Sequence, residues 1–507
     1  MKVLLMNRDS DFNVRQPLPW NERALIQDLA LQTLLEPMAG NDKFVQGIAL
    51  KALLTGRFND PETILYRQEI LKDCLKNPAV VRELYVLAVE AIEGKKKQWF
   101  GVYSKYPSGI LYGAVELMQM FVGMLKKLKS IAEEHAGRFE SAGFTALFEM
   151  LENELSPEFF ASIQGHLKEL KFKKGVLLSA ELGPGDAGRN HVLRRPNKDE
   201  RHWIRRLLAK GGPAHTFQLS DGDEAGARAL SELRDRGIHL VANALAQSVD
   251  HIDGFFQMLR AELAFYVGCL NLHERLSAFG EPTCFPRPLP AGQRRLRCRG
   301  LYDPCLALQM QRGVVGNSVD ADGKGLIIIT GANQGGKSSF LRSIGVAQLM
   351  MQCGMFIAAE SFEGELCAGL VTHYKREEDA TLKSGKLDEE LARMSETVDH
   401  LAPNVMLLLN ESFAATNERE GSEIARQMVS ALLEKGIKVF FVTHLHAFAH
   451  DFFERTADRA LFLRAERRPD GTRTFRLVEG EPLATSYGRD LYERIFTASA
   501  GGPQQDR

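Results

Sequence analysis

Several features are scarce in this chain of 507 residues, and each absence excludes a class of protein. Apolar runs are short, none reaching about 18 residues, which predicts that no segment crosses a membrane. The stretch "MKVLLMNRDSDF" has too short an apolar core for a secretory signal. The seven cysteines include no CxxC pair and no Cys/His cluster at zinc spacing. We therefore expect reduced thiols in a cytoplasmic protein without a structural metal.

An excess of charge of one sign is also lacking, because the net charge is −1 at pH 7. The overall charge therefore gives no argument for a nucleic-acid partner. The segment 168–210 is an exception, with twelve Lys and Arg against five Asp and Glu, a net charge of +7. Such a segment either pairs with DNA phosphates or forms a solvated face. The candidate DNA contacts are Lys171, Lys173, Lys174, Arg194, Arg195, Arg201, Arg205 and Arg206.

The pattern of apolar residues changes once along the chain. After an N-terminal segment at 1–20, residues 21–280 read mostly as helices, with a small basic insert of two strands and a glycine-rich turn at about 168–210. From 281 to 507, short apolar runs alternate with helical stretches, which is typical of a parallel sheet with crossover helices. The predicted buried strands are "LIIIT", "VMLLL" and "VFFVT". We place the domain boundary near 281–290.

Two helices of the first region have clear sequence signals. Asp60 is the predicted N-cap of one helix, with Pro61 at its first position. Apolar residues recur at steps of three and four between 223 and 278 without a proline, which predicts one long strut helix. The alternative is two packed helices that break near Gly254 or Gly268.

The stretch "TGANQGGKSS" satisfies the G-x-x-x-x-G-K-[ST] pattern between a predicted strand and a predicted helix. Glycines let backbone N–H groups approach phosphate, and the N-terminus of the helix adds partial positive charge. Lys337 supplies a full charge to the β- and γ-phosphates, and the Ser338 hydroxyl is a predicted Mg²⁺ ligand. The predicted nucleotide-binding residues here are Gly331, Ala332, Asn333, Gln334, Gly335, Gly336, Lys337, Ser338 and Ser339.

The next two predicted strands end in polar residues. "VMLLL" is followed by Asn410 and Glu411, and "VFFVT" by His444. Glu411 is the candidate general base, its alternative being a solvated carboxylate at a strand end. Asn410 stands where an aspartate would help to hold Mg²⁺, and its amide oxygen can still bind a metal-bound water. His444 is a candidate for sensing the γ-phosphate or positioning the attacking water, or else a histidine of the core.

These segments together resemble the MutS family of DNA mismatch-repair ATPases. "IITGANQGGKSSFLRSIG" resembles the Walker A segment of the family, which Asn333, Gly335 and Arg342 match beyond the core motif. "VGNSVD" lies where the family contacts the nucleotide base, which implies that role for Asn317. "FFVTHLHAF" and "ATSYGRDL" resemble two further motifs of the family. The resemblance covers about 300–495.

The resemblance implies an α + α/β architecture, in which a helical core and lever domain with a long strut helix precedes an ABC-class P-loop NTPase domain. It implies ATP and Mg²⁺ as ligands, a homodimer, and a loop that contacts the partner's phosphate through Ser384 and Gly385. The chain departs from the family in three ways. Leu387 stands where that loop has a further serine, Asn410 replaces an aspartate, and the first 20 residues leave no room for mismatch-reading and connector domains.

We therefore expect an ATPase that acts as a dimeric clamp on duplex or branched DNA in repair or recombination, with a possible repair-protein partner, and that is not a classical mismatch reader. The rival hypothesis is a nucleotide-gated scaffold that hydrolyses little ATP and docks a protein partner. An ABC transporter subunit is disfavoured, because the LSGGQ-type signature is missing.

Overall fold

The computed structural model describes residues 1–56, 60–99, 106–173, 175–186, 188–195, 217–376, 385–456 and 459–483. The chain divides into two compact units. The first unit consists of Met1–Val3, Arg82–Arg138 and Thr145–Arg260, and the second of Leu4–Val81, Phe139–Phe144 and Ala261–Arg507. The described part of the first unit is helical apart from one hairpin, whereas the second combines helices with two β-sheets. The expected mixture of helix and sheet is therefore confirmed.

Helices make up most of the described chain before residue 280. They are α1 (Glu22–Asp28), α2 (Leu31–Ala39), α3 (Lys43–Thr55), α4 (Pro61–Lys76), α5 (Pro78–Trp99), α6 (Pro107–His135), α7 (Ala142–Glu154), α8 (Pro157–Leu170) and α9 (Glu224–Ala278). The Asp60 carboxylate accepts the N–H groups of Glu62 and Thr63 at the start of α4, and Pro61 is the first helical residue. The predicted N-cap is therefore confirmed.

Helix α9 runs without interruption over 55 residues. At 1.5 Å per residue it is roughly 80 Å long. A Cβ atom at Gly268 would lie 3.3 Å from the side chains of Met38 and Val45, so the glycine lets neighbouring helices of the second unit pack closely. The predicted single helix is confirmed, and the alternative of a break near Gly254 or Gly268 is wrong. Its role as a strut stays a prediction.

The strands predicted within the basic insert are also present. Strands β1 (Leu177–Leu182) and β2 (Gly188–Arg194) pair antiparallel. Gly185 in the connection has a φ of 69°, a left-handed conformation that glycine adopts without strain. Most residues of this hairpin are exposed.

Helix α6 is relevant to the prediction that no segment crosses a membrane. Over Pro107–Arg138 the chain is long and apolar enough to cross one by length and composition alone. Ten apolar residues of α6, among them Phe121 and Leu125, are buried in the structure. The core helix of a soluble protein passes the same test, so the prediction stays open.

The second unit contains two sheets, whose strands follow one another along the chain after residue 280. The strands are β3 (Arg287–Leu289), β4 (Leu296–Leu301), β5 (Asn317–Asp320), β6 (Leu326–Gly331), β7 (Ser361–Glu365), β8 (Gly369–Tyr374), β9 (Val405–Asn410), β10 (Lys438–Val442), β11 (Ala460–Arg467) and β12 (Arg473–Glu479). The helices among them are α10 (Pro304–Met310), α11 (Lys337–Gln352), α12 (Lys386–Asp399), α13 (Glu418–Glu434) and α14 (His446–Thr456).

The larger sheet has the order β12-β11-β6-β10-β9-β8. Strands β11, β6, β10, β9 and β8 are parallel, and only the edge strand β12 runs antiparallel to its neighbour. Strands β6, β9 and β10 are almost wholly buried, as their near-continuous apolar sequences predict. The three predicted strands are confirmed. The smaller sheet has the order β3-β7-β4-β5.

The register of the larger sheet brings the ends of three strands to one level. Ile329 of β6 lies opposite Val442 of β10, and Val442 lies opposite Asn410 of β9. The residues that follow these positions therefore meet at the same edge of the sheet. This edge contains the residues that the sequence patterns mark as a nucleotide site.

The N-terminal segment of the second unit is attached to α9 through one carboxylate. Glu262 is fully buried and accepts the backbone N–H groups of Leu5, Met6 and Phe12, the last at 2.8 Å. Burial raises the pKa of Glu262 to about 7, although these three bonds oppose the shift. The carboxylate thus satisfies three donors that the fold has removed from water.

The raised pKa of Glu262 predicts a pH dependence of stability. Because the folded state binds a proton that the unfolded state releases, this contribution is complete below pH 4.5 and is lost as the pH rises through about 7. Between these values the wild type should lose about 3 kcal/mol of unfolding free energy that Glu262→Gln, which cannot titrate, retains. Urea titrations at a series of pH values measure the difference. Parallel pH profiles for the two proteins would contradict the assignment.

Candidate nucleotide-binding site

The loop at 331–336 joins β6 to α11 in a conformation that its sequence favours. Gly331 and Gly336 have φ values of 103° and 89°, and Gln334 has a φ of 58°. A Cβ atom at Gly331 would lie 2.8 Å from the backbone nitrogen of Ala465, so no other residue fits there. Gly336 is the N-cap of α11 and has no side chain to cap it. A loop of this form leaves the first N–H groups of the helix for an anion.

Lys337 is the first residue of α11 and is 5% exposed. Its Nζ donates to the carbonyl oxygens of Gly331 and Ala332, each at 3.0 Å. Burial lowers the pKa of Lys337 to about 8, with Glu411 raising it and Arg473 lowering it further. An anion beside Lys337 would stabilise its charged form. The ammonium group of Lys337 thus lies against the loop, where it could contact bound phosphates.

Ser338 and Asn410 lie together, although they are far apart in sequence. The Ser338 hydroxyl donates to Asn410 Oδ1 at 3.0 Å. Mg²⁺ prefers oxygen ligands, and it keeps several of its waters when bound. Two neighbouring oxygens fit such an ion, one as a direct ligand and the other through a water, but both are neutral. These two residues could therefore hold Mg²⁺, but without the negative charge that an aspartate would bring.

Glu411 and His444 form a second pair at the same edge. Glu411 Oε1 lies 3.1 Å from His444 Nε2, and the Glu411 N–H donates to the carbonyl of Val442 at 2.8 Å. The bond to His444 holds the pKa of Glu411 below its usual range, against the effect of burial. Glu411 is therefore ionised at neutral pH and can accept a proton. His444 is exposed and lies outside the core.

Strand β12 contacts the loop through residues that the sequence did not single out. Arg473 Nε donates to the carbonyl of Asn333 at 3.2 Å. Asn317 donates to the Phe475 carbonyl at 3.3 Å, and its Oδ1 accepts the Leu477 N–H at 2.7 Å. Both ends of the Asn317 amide thus bond to β12, and its predicted contact with a base stays a prediction. Because no short motif relates residues about 140 positions apart, the sequence carries no signal for Arg473.

A cleft of about 670 Å³ lies beside these contacts. Its lining includes Val315, Gly316, Arg473 and Arg476. This volume is within the usual range for a small-molecule site. Of the other predicted loop residues, Asn333 and Gln334 are exposed, Gly335 packs against Ala465, and Ser339 lies in the first turn of α11.

The second turn of α11 is fixed by a buried ion pair. The Arg342 guanidinium bonds to the carboxylate of Asp303, which is 3% exposed. The same carboxylate accepts the N–H groups of Cys305 and Leu306 at the start of α10. Leaving either of these charges buried without the other would cost free energy. Arg342 therefore holds the helix that carries Lys337 and Ser338 against α10.

Part of the predicted partner-contacting loop lies outside the described residues. Ser384 is not among them, and neither is the "SYG" segment at 486–488. Gly385 is described and is the N-cap of α12. Leu387 follows in the first turn of that helix.

The basic insert is described in part. Lys174, Arg201, Arg205 and Arg206 lie outside the described residues, whereas Lys171, Lys173, Arg194 and Arg195 are exposed. Two of the exposed side chains have acidic partners, since Lys171 lies 3.4 Å from Glu116 and Arg195 lies 2.9 Å from Glu169. Arg194 bonds to the Ser179 hydroxyl across the hairpin. Their role in binding DNA stays a prediction.

Two family models match the chain. The MutS2 N-terminal domain matches residues 59–279, and MutS domain V matches residues 327–497. The second match contains the loop, Asn410, Glu411 and His444. The first contains α9 and the basic insert.

Curated relatives agree with these matches. The DNA mismatch repair protein MutS of Chloroflexus aurantiacus is 26% identical over 222 residues, which is 43% of this chain and 23% of the relative. The Endonuclease MutS2 of Thermus thermophilus is 31% identical over 223 residues, 43% of this chain and 28% of the relative. MutS protein homolog 4 of Mus musculus is 26% identical over 143 residues, 28% of this chain and 15% of the relative.

The matched region spans about a quarter or less of each of these relatives, so their activities and partners are not carried over whole. The likeness nevertheless covers both units of the chain, and it includes the residues that form the P-loop and the strand ends beside it. The chain belongs to the MutS family.

Proposed function

We propose that this chain hydrolyses ATP with Mg²⁺ and uses the nucleotide cycle to act on DNA as a homodimeric clamp. The observation that carries the proposal is the meeting of three groups at one sheet edge: Lys337 under the loop, the pair of Ser338 and Asn410, and the pair of Glu411 and His444. Ligands of open parallel sheets bind outside the carboxyl ends of the strands. The three groups supply charge, metal ligands and a base to one such ligand.

Binding would begin with the phosphates. The N–H groups of the loop and of the first turn of α11 bind the β- and γ-phosphates, and Lys337 adds its charge to them. The negative charge of the bound triphosphate would raise the pKa of Lys337 and so oppose the effect of burial. The nucleoside takes the cleft lined by Gly316 and Arg476.

Hydrolysis then requires a base beside an oriented water. The oxygen of the water bonds to the γ-phosphorus while Glu411 accepts a proton from that water. The bond from the γ-phosphorus to the bridging oxygen breaks, which releases ADP and leaves inorganic phosphate. His444 orients the Glu411 carboxylate through the bond at 3.1 Å. Ser338 and Asn410 would hold Mg²⁺, and the ion would neutralise charge on the phosphates.

The DNA part of the proposal depends on the basic insert and on family membership. Lys171, Lys173, Arg194 and Arg195 are exposed on or near the hairpin, and contacts from such residues to phosphates are independent of sequence and sensitive to salt. The homodimer is supported by family membership. Duplex or branched DNA in repair or recombination is the substrate that we infer.

One observation favours a second candidate, a nucleotide-gated scaffold with little hydrolysis. Asn410 is neutral and already bonds to Ser338, so the site lacks the carboxylate that would draw Mg²⁺ close. In that case ATP binding alone changes the state of the protein, and a protein partner responds to it. The ionised Glu411 beside His444 argues for hydrolysis instead.

Removing Lys337 and Glu411 separately distinguishes binding from chemistry. Lys337→Ala should raise the Kd for ATPγS at least about tenfold, because it removes the buried charge under the phosphates. Glu411→Gln should bind ATPγS normally and lose about 10²- to 10⁴-fold in turnover, because the amide cannot accept the proton. Steady-state ATP hydrolysis and calorimetry measure the two effects, with Glu434→Gln on the exposed face of α13 as the control. Equal turnover in wild type and Glu411→Gln would favour the scaffold.

The exposed cations of the insert can be tested through salt dependence. The double variant Lys173→Ala with Arg194→Ala should weaken binding to duplex and branched DNA alike. The slope of log K against log salt concentration should fall by about one per lost phosphate contact. Fluorescence anisotropy with labelled DNA measures both. Arg419→Ala with Lys435→Ala removes the same charge from exposed positions of α13 and its end, and should change neither. Identical slopes for the two double variants would exclude the insert as the DNA contact.

A further inference from the structure

The turn that follows β9 is strained where it places Glu411. Glu411 and Phe413 have φ values of 55° and 65°, in the left-handed region that residues with side chains rarely adopt. Phe413 is bulky and fully buried, so its conformation is a true outlier. Two such residues in three positions cost free energy, and they persist only where the surroundings hold them.

Two buried residues outside this turn, His373 and Glu390, form hydrogen bonds with it. Ser412 Oγ lies 2.8 Å from both Nδ1 and the backbone carbonyl of His373, which is on β8. The Phe413 N–H donates to the Glu390 carboxylate at 2.7 Å. Ser412, His373 and Glu390 are each at most 6% exposed. Ser412 and Phe413, which lie within the strained turn, are thus tied to another strand and to a helix.

A glutamate is unusual at position 390, because this position is buried. It lies on α12, and its carboxyl group is buried, which raises its pKa, while the N–H bond to Phe413 and the charges of Arg393 and Lys375 oppose the shift. A buried carboxylate is expensive unless it is hydrogen-bonded. The proposed chemistry does not use this group. The hydrogen bond from the Phe413 N–H explains why a carboxylate is buried at this position.

We infer that Glu390 is a positioning residue for Glu411, which acts by holding the Phe413 N–H and with it the turn that directs the Glu411 carboxylate. This inference rests on the proposed ATPase function. Helix α12 begins at Lys386, directly after Gly385, and the bond from the Phe413 N–H to Glu390 joins this helix to the turn that carries Glu411. A displacement of α12 would move the acceptor of Phe413 and so redirect Glu411.

The size of the effect follows from geometry. A reacting group displaced by about 1 Å can lose as much as 10²-fold in rate, while the binding of the substrate is unchanged. Glu390 does not approach the loop or Lys337 through any bond that the structure describes. Loss of its carboxylate should therefore lower kcat and leave nucleotide affinity intact.

The test compares Glu390→Leu, Glu390→Gln and Glu390→Asp. Leucine removes the acceptor and should lower kcat about 10- to 100-fold, with the Kd for ATPγS changed less than about threefold. Glutamine keeps an acceptor oxygen at the same reach and should rescue most of kcat. Aspartate keeps the charge but is one methylene shorter, and it should lose about tenfold. Glu396→Leu on the exposed face of α12 is the control and should be neutral.

A double-mutant cycle separates positioning from a merely structural role. In the Glu411→Gln background, Glu390→Leu should cause no further loss of residual turnover, because the residue that it positions is already disabled. If Glu390→Leu does not fold, Glu390→Asp takes its place in the cycle. Additive losses, or equal kcat in wild type and these variants, would overturn the inference alone. A wild type that binds ATPγS but does not turn over ATP would overturn the proposed ATPase and this inference with it.

Discussion

The parallel pairing of β6, β10 and β9 is the constraint on which the site depends. Because Ile329, Val442 and Asn410 lie opposite one another, the loop after β6, His444 after β10 and Glu411 after β9 emerge at the same level. A slip of one position would turn every side chain of a strand to its other face. The burial of these strands on both faces fixes the register, so the hydrophobic core of the unit also sets the geometry of its chemistry.

The electrostatics of the site are biased towards an anion. Lys337 is buried, and in the described part of the chain its ammonium group donates to carbonyl oxygens. Arg473 contributes a second positive charge nearby, and the neutral Asn410 adds no negative charge. Glu411 is the negative group close to Lys337, and its bond to His444 keeps it ionised. The proposed phosphate binding would therefore depend on the protein's own cations. It relies less on a protein carboxylate to hold a metal ion.

The sequence predicts those parts of the fold that depend on local signals. The P-loop, the three buried strands, the Asp60 cap and the unbroken α9 each follow from spacing, capping or periodicity within about 60 residues, and the structure contains them. The resemblance to the MutS family depends on the same local motifs. These motifs therefore predict the family correctly, as the comparisons confirm, and they identify Asn410 as a departure from its pattern.

Contacts between distant parts of the chain could not be predicted in this way. Glu262 bonds to Phe12 across 250 positions, and Arg473 bonds to Asn333 across 140. Nothing in the sequence around Glu390 marks it as a partner of Phe413, because a glutamate that follows Asp388 and Glu389 near the start of a helix is typical of an exposed acidic surface. These residues hold strained or buried backbone in place. They become visible only when the fold brings their partners together.

The Mg²⁺ position that we propose consists of Ser338 and the neutral Asn410. The most direct measurement is the Mg²⁺ concentration that gives half-maximal ATPγS binding, in wild type and in Asn410→Asp. Aspartate should lower this concentration at least about tenfold, because it adds a negative charge beside the ion. Asn417→Asp, which adds the same charge at the exposed N-cap of α13, should leave it unchanged. An unchanged Mg²⁺ dependence in Asn410→Asp would contradict the claim.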